Sequence, residues 1–162
     1  MNQIKVTNAK TLVAKDSIIA QGESKDCMVY ATASAFDLPY DEAHQVVKEK
    51  FNRQNGKGTK TWNILCGMKD MADTRESING KFIREVIDKA TKTYHLHGQD
   101  IERKNRVSTF IKEHMTGTYL ILTGNHALVA KDGEMIDNVT GGSAKAYVKK
   151  AYKVEPLITF QP

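Results

Sequence analysis

The feature that most constrains the fold is an Asp-Gly pair, Asp132-Gly133, between two short apolar segments. Asp-Gly is a strong signal for a two-residue hairpin turn, because both residues tolerate the positive φ that such turns require. Residues 126–131 and 134–138 are rich in β-forming side chains and predict the two strands of this hairpin. A further strand is predicted at residues 118–123, so we expect an antiparallel sheet in the last third of the chain.

The earlier part of the chain shows helical spacing of its apolar side chains. Helices are predicted over residues 24–36, with Ser24 or Asp26 as the cap, and over residues 40–52, 61–71 and 106–115. Residues 81–90 are ambiguous and fit a helix, while strands are expected at 93–96, 146–154 and 157–160. Helices followed by antiparallel strands predict an α+β fold.

Composition limits what else the chain can be. Its 162 residues predict a single domain, and 40% hydrophobic with 27% charged residues is ordinary for a globular protein. No apolar run approaches the roughly 20 residues of a membrane span, and the polar start lacks the apolar core of a secretory signal. We therefore expect a cytoplasmic protein without membrane contact. The net charge of +5 permits an acidic partner without identifying one.

Two cysteines, Cys27 and Cys66, are too few for a disulfide framework and are not spaced like zinc ligands. We therefore expect neither a metal nor an organic cofactor. Cys66 lies among apolar residues of a predicted helix, which favours a place in the core. Cys27 falls in the first turn of its predicted helix, where the positive end of the helix dipole stabilises a thiolate nucleophile. A buried structural cysteine is the alternative for Cys27.

His126 is the histidine best placed to act as a base, because it opens a predicted strand just after a Gly-Asn break. Such a histidine needs an orienting acid or amide. With a two-residue turn at Asp132-Gly133, Asp137 lies on the face of His126 as its diagonal neighbour. Asn138 then lies on the opposite face of the strand. A three-residue loop or a bulge would instead place Asn138 on the face of His126, so Asn138 is the alternative orienting residue.

The other histidines fit different environments. His44 and His114 lie among charged residues on predicted helices, so we expect them to be solvated. His95 and His97 share one strand face but lack a third metal ligand at an obvious spacing.

A basic loop, residues 52–60, follows the second of these predicted helices. Arg53, Lys57 and Lys60 provide charge for a phosphate or another anion, or for substrate, and the glycines of the loop free backbone N–H groups. A solvated surface loop is the alternative, because the spacing of a P-loop is absent. Trp62, just beyond the loop, either stacks on a ligand or belongs to the core.

Gln21-Gly22, with Cys27 six residues after the glutamine, resembles the Gln-Gly…Cys start of papain-like cysteine peptidases. Residues 125–129 and 136–138 resemble the part of that superfamily that carries its histidine and its acid. The short hairpin between them is similar to bacterial and phage members of the C39-like kind. The Cys-Gly-Ser-Cys-Trp signature of papain itself is absent.

This resemblance implies a papain-like fold, in which the catalytic cysteine begins a helix packed on an antiparallel sheet. It also implies a thiol hydrolase (a cysteine peptidase, isopeptidase or amidase) that acts on a peptide or protein substrate, and a phage-encoded chain working in the host cytoplasm. The implied roles are nucleophile for Cys27, base for His126, orienting acid for Asp137 and oxyanion donor for Gln21. The alternative is an inactive chain of the same fold that binds nucleic acid or an acidic protein through its basic surface.

Overall fold

The computed structural model describes residues 4–54, 56–86, 92–103, 105–139 and 142–157. Its helices are α1 Ala9–Val13, α2 Ile18–Gln21, α3 Cys27–Phe36, α4 Tyr40–Phe51, α5 Thr61–Thr74 and α6 Val107–Glu113. Its strands are β1 Val6–Asn8, β2 Lys81–Val86, β3 Lys92–Leu96, β4 Gln99–Arg103, β5 Thr118–Leu122, β6 Ala127–Lys131, β7 Glu134–Asp137 and β8 Lys150–Pro156. The predicted mixture of helices and strands in an α+β fold is confirmed. No helix within these ranges has the length and apolar character needed to cross a lipid bilayer.

The main sheet has the strand order β1-β7-β6-β5-β8-β2, and β3 and β4 form a separate two-stranded sheet. Neighbouring strands pair antiparallel, except that β1 runs parallel to β7. The expectation of a purely antiparallel sheet is therefore wrong at this edge. β1 forms this edge of the sheet. It has only three residues, which are too few to leave a recognisable pattern in the sequence.

The predicted turn at Asp132-Gly133 is confirmed. Both residues have positive φ, 48° for Asp132 and 82° for Gly133, as a type I′ turn requires. Lys131 pairs with Glu134 across the turn, which is the register of a two-residue loop. The hairpin therefore keeps the alternation of side chains on which the placement of Asp137 depends.

Both faces of the sheet are covered, which explains why its central strands read as continuous apolar runs. Leu120 and Val129 face the core that contains α3, whereas their neighbours Ile121 and Leu128 face the core beneath α6. After Cys27, every residue of α3 is buried. The start of α3 is thereby held in a defined position against the sheet.

The helix interpretation of residues 81–90 is wrong over the part that the structure describes. Residues 81–86 form β2, which pairs with β8 along its whole length and buries Ile83. Residues 87–90 lie outside the described residues. A short apolar segment fits a helix or a strand equally well by pattern, so pairing with β8 decides between them.

The strand predicted at 146–154 is shorter than expected, and the strand predicted at 157–160 lies mostly outside the described residues. The strand predicted at 146–154 begins only at Lys150, because the backbones of Ala146 and Val148 bond instead to Val107 and Asn105 near the start of α6. Leu157 follows the end of β8 and is not part of a strand, while residues 158–160 of the last predicted strand lie outside the described residues.

Close packing of α5 against α4 at Gly67 gives a test of the fold. A Cβ built on Gly67 would lie 2.4 Å from Cδ1 of Phe51 and 2.8 Å from the carbonyl oxygen of Lys50. We predict that Gly67→Ala lowers the free energy of unfolding by about 1–2 kcal/mol, because an overpacking cost of about 2–3 kcal/mol outweighs the ~1 kcal/mol gain in helix propensity. Urea unfolding measures the change, with Cys66→Ala at the exposed neighbouring position as the control. A Gly67→Ala chain at least as stable as its parent would contradict this packing.

Candidate active site

His126 and Asp137 meet across the β6–β7 hairpin. Nε2 of His126 lies 2.6 Å from Oδ1 of Asp137, which is hydrogen-bonding distance. An ionised carboxylate only accepts, so Nε2 carries the proton and Nδ1 is left for another partner. The Asp137 side chain is fully buried and that of His126 is 15% exposed, so the bond is shielded from water. The structure thus brings together the two residues that the predicted register places side by side.

Two further groups hold the Asp137 carboxylate. The hydroxyl of Ser143 donates to Oδ2 at 2.8 Å, and the N–H of Val139 donates to Oδ1 at 3.3 Å. Burial acts to raise the pKa of Asp137, but the hydrogen bond and charge of His126, with these two donors, hold the pKa below its usual value. The carboxylate therefore stays ionised and fixed. Sequence reasoning missed Ser143, because its contact depends on how the chain turns back after β7.

Cys27 lies beside His126, because the two residues line one cavity. Burial acts to lower the pKa of His126, but the hydrogen bond and charge of Asp137, together with the neighbouring Cys27, raise it to about 9. The imidazolium form of His126 therefore prevails at neutral pH beside Cys27. Cys27 itself is half-buried at the start of α3 rather than enclosed in the core.

Asp26, the residue before Cys27, is buried and hydrogen-bonded. Asp26 occupies the cap position of α3, but its side chain does not cap the helix. It accepts a hydrogen bond from the hydroxyl of Tyr40 at 2.6 Å instead. Burial and the contact with Asp26 raise the pKa of Tyr40 above its usual range, so the hydroxyl remains a donor. The predicted cap position at Asp26 is therefore confirmed, although Tyr40 of the next helix binds its carboxylate in place of the helix backbone.

A buried charged cluster of Glu23, His44 and Arg53 holds the segment that leads to Cys27. Oε2 of Glu23 accepts from Nη2 of Arg53 at 2.8 Å and from the N–H of Gly56 at 3.0 Å, and Oε1 lies 2.9 Å from Nε2 of His44. Burial acts to raise the pKa of Glu23, but these contacts lower it to about 2. The basic loop is thereby tied to the chain just before Cys27.

This cluster corrects two sequence interpretations. His44 is buried rather than solvated, because it contacts both Glu23 and Arg53. Arg53 is only 3% exposed, so it does not share the solvent-exposed position of Lys57 and Lys60. His114 is not fully solvated either, since its ring stacks on Phe110 with the ring centroids 4.0 Å apart.

The core interpretations of Trp62 and Cys66 are wrong. Trp62 is 74% exposed, and Cys66 is exposed as well. α5 buries Met68 and Met71 instead. The apolar residues of this helix spread around it, so their pattern does not show which face contacts α4 and β2.

The cavity beside Cys27 has a volume of about 40 Å³. Ile64 and Leu65 of α5 and Leu122 at the end of β5 give it apolar walls, and Lys149 also lines it. Thr59 lines it as well, and its Oγ1 is buried without a hydrogen-bond partner in the described part of the chain. Sequence reasoning missed these lining residues, because segments distant in the chain bring them together.

Two of the predicted site residues lie away from this arrangement. Gln21 ends α2, is exposed and is not among the residues that line the cavity. Its part as an oxyanion donor stays a prediction. Oδ1 of Asn138 is buried and finds no hydrogen-bond partner among the described residues, so Asp137 rather than Asn138 orients His126. Within the described ranges, no group of three or more histidine, cysteine, aspartate or glutamate side chains is arranged to hold a metal ion.

Comparison of the chain with protein-family models, with curated proteins and with solved structures finds no match. The function of the site is therefore inferred from its own residues.

The His126–Asp137 pair predicts how stability depends on pH. The pKa of His126 is raised from 6.5 to about 9, so its stabilising contribution is complete below pH 6.5 and is lost as the pH rises through 9. We expect the free energy of unfolding to fall by on the order of 2 kcal/mol over this interval. Chemical unfolding at several pH values measures this fall, and Asp137→Asn should flatten it. An equal fall in the parent and in Asp137→Asn would contradict the assignment.

The Glu23–Arg53 pair predicts a contrast between buried and exposed ion pairs. Arg53→Met leaves a buried carboxylate without its cation, so we expect a loss of about 3–5 kcal/mol in unfolding free energy. Glu23→Gln in the same chain should restore part of this loss. The control is Lys69→Met, which breaks an exposed pair with Asp73 and should leave the urea midpoint unchanged. Equal shifts for Arg53→Met and Lys69→Met would contradict the role of burial.

Proposed function

We propose that the chain is a thiol hydrolase of the papain-like superfamily, which cleaves a peptide, isopeptide or other amide bond with Cys27, His126 and Asp137. The observation that carries the proposal is the position of His126. Its Nε2 is bonded to a buried carboxylate, and the same side chain lines one cavity with Cys27, whose neighbourhood contributes to the raised pKa of His126. These are the contacts that a cysteine nucleophile needs from its base, and the base from its orienting acid.

The arrangement of the chain around these residues supports the same proposal. Cys27 begins α3, which packs on the sheet, and His126 and Asp137 lie on adjacent strands or at their ends. The order Gln21, Cys27, His126, Asp137 is the one that the resemblance to papain-like peptidases implies. A papain-like architecture accounts for both the order and the packing.

In the proposed acylation step, the Cys27 thiolate attacks the carbonyl carbon and forms a C–S bond, while the carbonyl oxygen takes the negative charge. The N–H of Cys27 donates to this oxygen, because the first N–H groups of a helix have no acceptor within it. Gln21 is the proposed second donor. The C–N bond then breaks as the His126 imidazolium gives its proton to the leaving amine.

In the proposed deacylation step, neutral His126 takes a proton from water as the water oxygen attacks the thioester carbon. The C–S bond breaks, the acid product leaves, and the thiolate of Cys27 is restored beside the imidazolium of His126. Asp137 keeps its proton-free form throughout, and its hydrogen bond fixes the ring and stabilises the positive charge.

The experiment is site-resolved alkylation of the native chain with iodoacetamide, because Cys66 provides an internal control. Cys66 is exposed and Cys27 is half-buried, so exposure alone predicts faster labelling of Cys66. We expect the reverse at pH 6–7, because the His126 imidazolium stabilises the Cys27 thiolate. His126→Ala should slow labelling of Cys27 by roughly tenfold or more and leave Cys66 unchanged.

Hydrolysis of a peptide library, followed by mass spectrometry, completes this test. Cys27→Ala should abolish cleavage, and Asp137→Ala should reduce it far more than Asn138→Ala, its neighbour on the opposite strand face. If Cys27 reacts no faster than Cys66 and no peptide is cleaved, the proposed hydrolase is wrong.

A further inference from the structure

Three exposed lysines lie close to Cys27 in the structure. Lys25, Lys57 and Lys60 are exposed, and none forms an ion pair within the ranges that the structure describes. Of the two nearest carboxylates in sequence, Glu23 is paired with Arg53 and so does not offset this charge. Asp26 is buried and accepts from the neutral hydroxyl of Tyr40, so it offsets at most one of the three lysines.

The contacts of the basic loop place the backbone of these lysines near the Cys27 cavity. Gly58 lies against Lys25, because a Cβ built on Gly58 would be 3.6 Å from the Cβ of Lys25. Thr59 and the following Thr61 line the cavity, and Lys60 lies between them in the chain. The loop therefore runs along the cavity, with Lys57 and Lys60 within two residues of its wall.

This placement is unfavourable for the free chain. Lys60 directly precedes α5, where the positive end of the helix dipole repels a cation. The other two lysines add like charge to the same region. Local arrangements that cost stability in this way occur at functional sites, where a ligand of opposite charge compensates them.

The cavity and Trp62 indicate what kind of anion fits. Trp62 follows the cavity residue Thr61, is 74% exposed and offers a large apolar face next to the lysines. The cavity has apolar walls, lacks any lining carboxylate among the described residues, and has space for a short side chain. A polypeptide combines a carbonyl for Cys27, a short apolar side chain and carboxylates at intervals along its length.

We infer that the substrate of the proposed hydrolase is an acidic polypeptide, whose carboxylates bind Lys25, Lys57 and Lys60 while a short side chain enters the cavity beside Cys27. This inference rests on the proposed function. The lysines act on specificity and on the rate of encounter, because a local field of one sign concentrates oppositely charged substrate. Trp62 contacts the apolar part of the same segment.

A pair of alkylating reagents of similar size tests the charge at the site. Iodoacetate is an anion and iodoacetamide is neutral, so the ratio of their rates at Cys27 reports the local field. At low ionic strength, we expect Lys57→Glu/Lys60→Glu to reduce this ratio roughly 3–10-fold. Lys10→Glu/Lys112→Glu changes the net charge equally, on α1 and α6, and should leave the ratio unchanged. High salt should lower the ratio in the parent chain by screening.

The two possible failures are distinguishable. A ratio that Lys57→Glu/Lys60→Glu leaves unchanged overturns the inference about charge. If Cys27 reacts no faster than Cys66 with iodoacetamide and no peptide is cleaved, the proposed hydrolase fails, and the inferred substrate fails with it. Circular dichroism of both double variants ensures that a lower ratio comes from a folded chain.

Protection of Cys27 from iodoacetamide tests the kind of partner. The probes are a peptide of glutamates around one alanine, the same peptide with glutamines, and a single-stranded oligothymidylate of equal charge. We expect the glutamate peptide to protect best and to lose its effect in Lys57→Glu/Lys60→Glu. Equal protection by the glutamine peptide overturns the inference, and so does stronger protection by the oligonucleotide, which would assign this surface to nucleic acid.

Discussion

The hydrogen bond between His126 and Asp137 is the interaction on which the rest of the site depends. It exists because a two-residue turn sets the register of β6 and β7, and because both faces of the sheet are covered, so that Asp137 is buried. The bond leaves the other ring nitrogen of His126 for Cys27. A shift of one residue in this hairpin would turn Asp137 to the opposite face and leave the histidine without its acid.

Near Cys27, the carboxylates are buried and the lysines are exposed. The carboxylate of Glu23 is directed inward and is paired with Arg53, so it does not compete with the exposed lysines. The same contacts hold the backbone before Cys27 and tie the basic loop to it. The pairing of Glu23 in the interior therefore leaves the charge of Lys57 and Lys60 at the surface.

Much of the site could be predicted from sequence because its decisive geometry is local. An Asp-Gly turn and the alternation of a strand are sufficient to choose Asp137 over Asn138. The misinterpreted features depend on distant segments. β2 is a strand because β8 pairs with it, and α5 exposes Trp62 because α4 and β2 cover its other face. In the sequence, the charged neighbours of His44 indicate a solvated side chain. In the structure, Glu23 and Arg53 from two other segments contact it.

The parallel pairing of β1 with β7 has a consequence for the order of events in folding. Asn8 pairs with Asp137, so the strand that carries the acid gains its outer neighbour from residues near the start of the chain. During synthesis, β1 is made well before β7 and waits without its partner until residues 134–137 have emerged. Contacts of such high sequence separation form late and slowly. The strand that carries Asp137 therefore gains its outer neighbour only after the residues between β1 and β7 have been made.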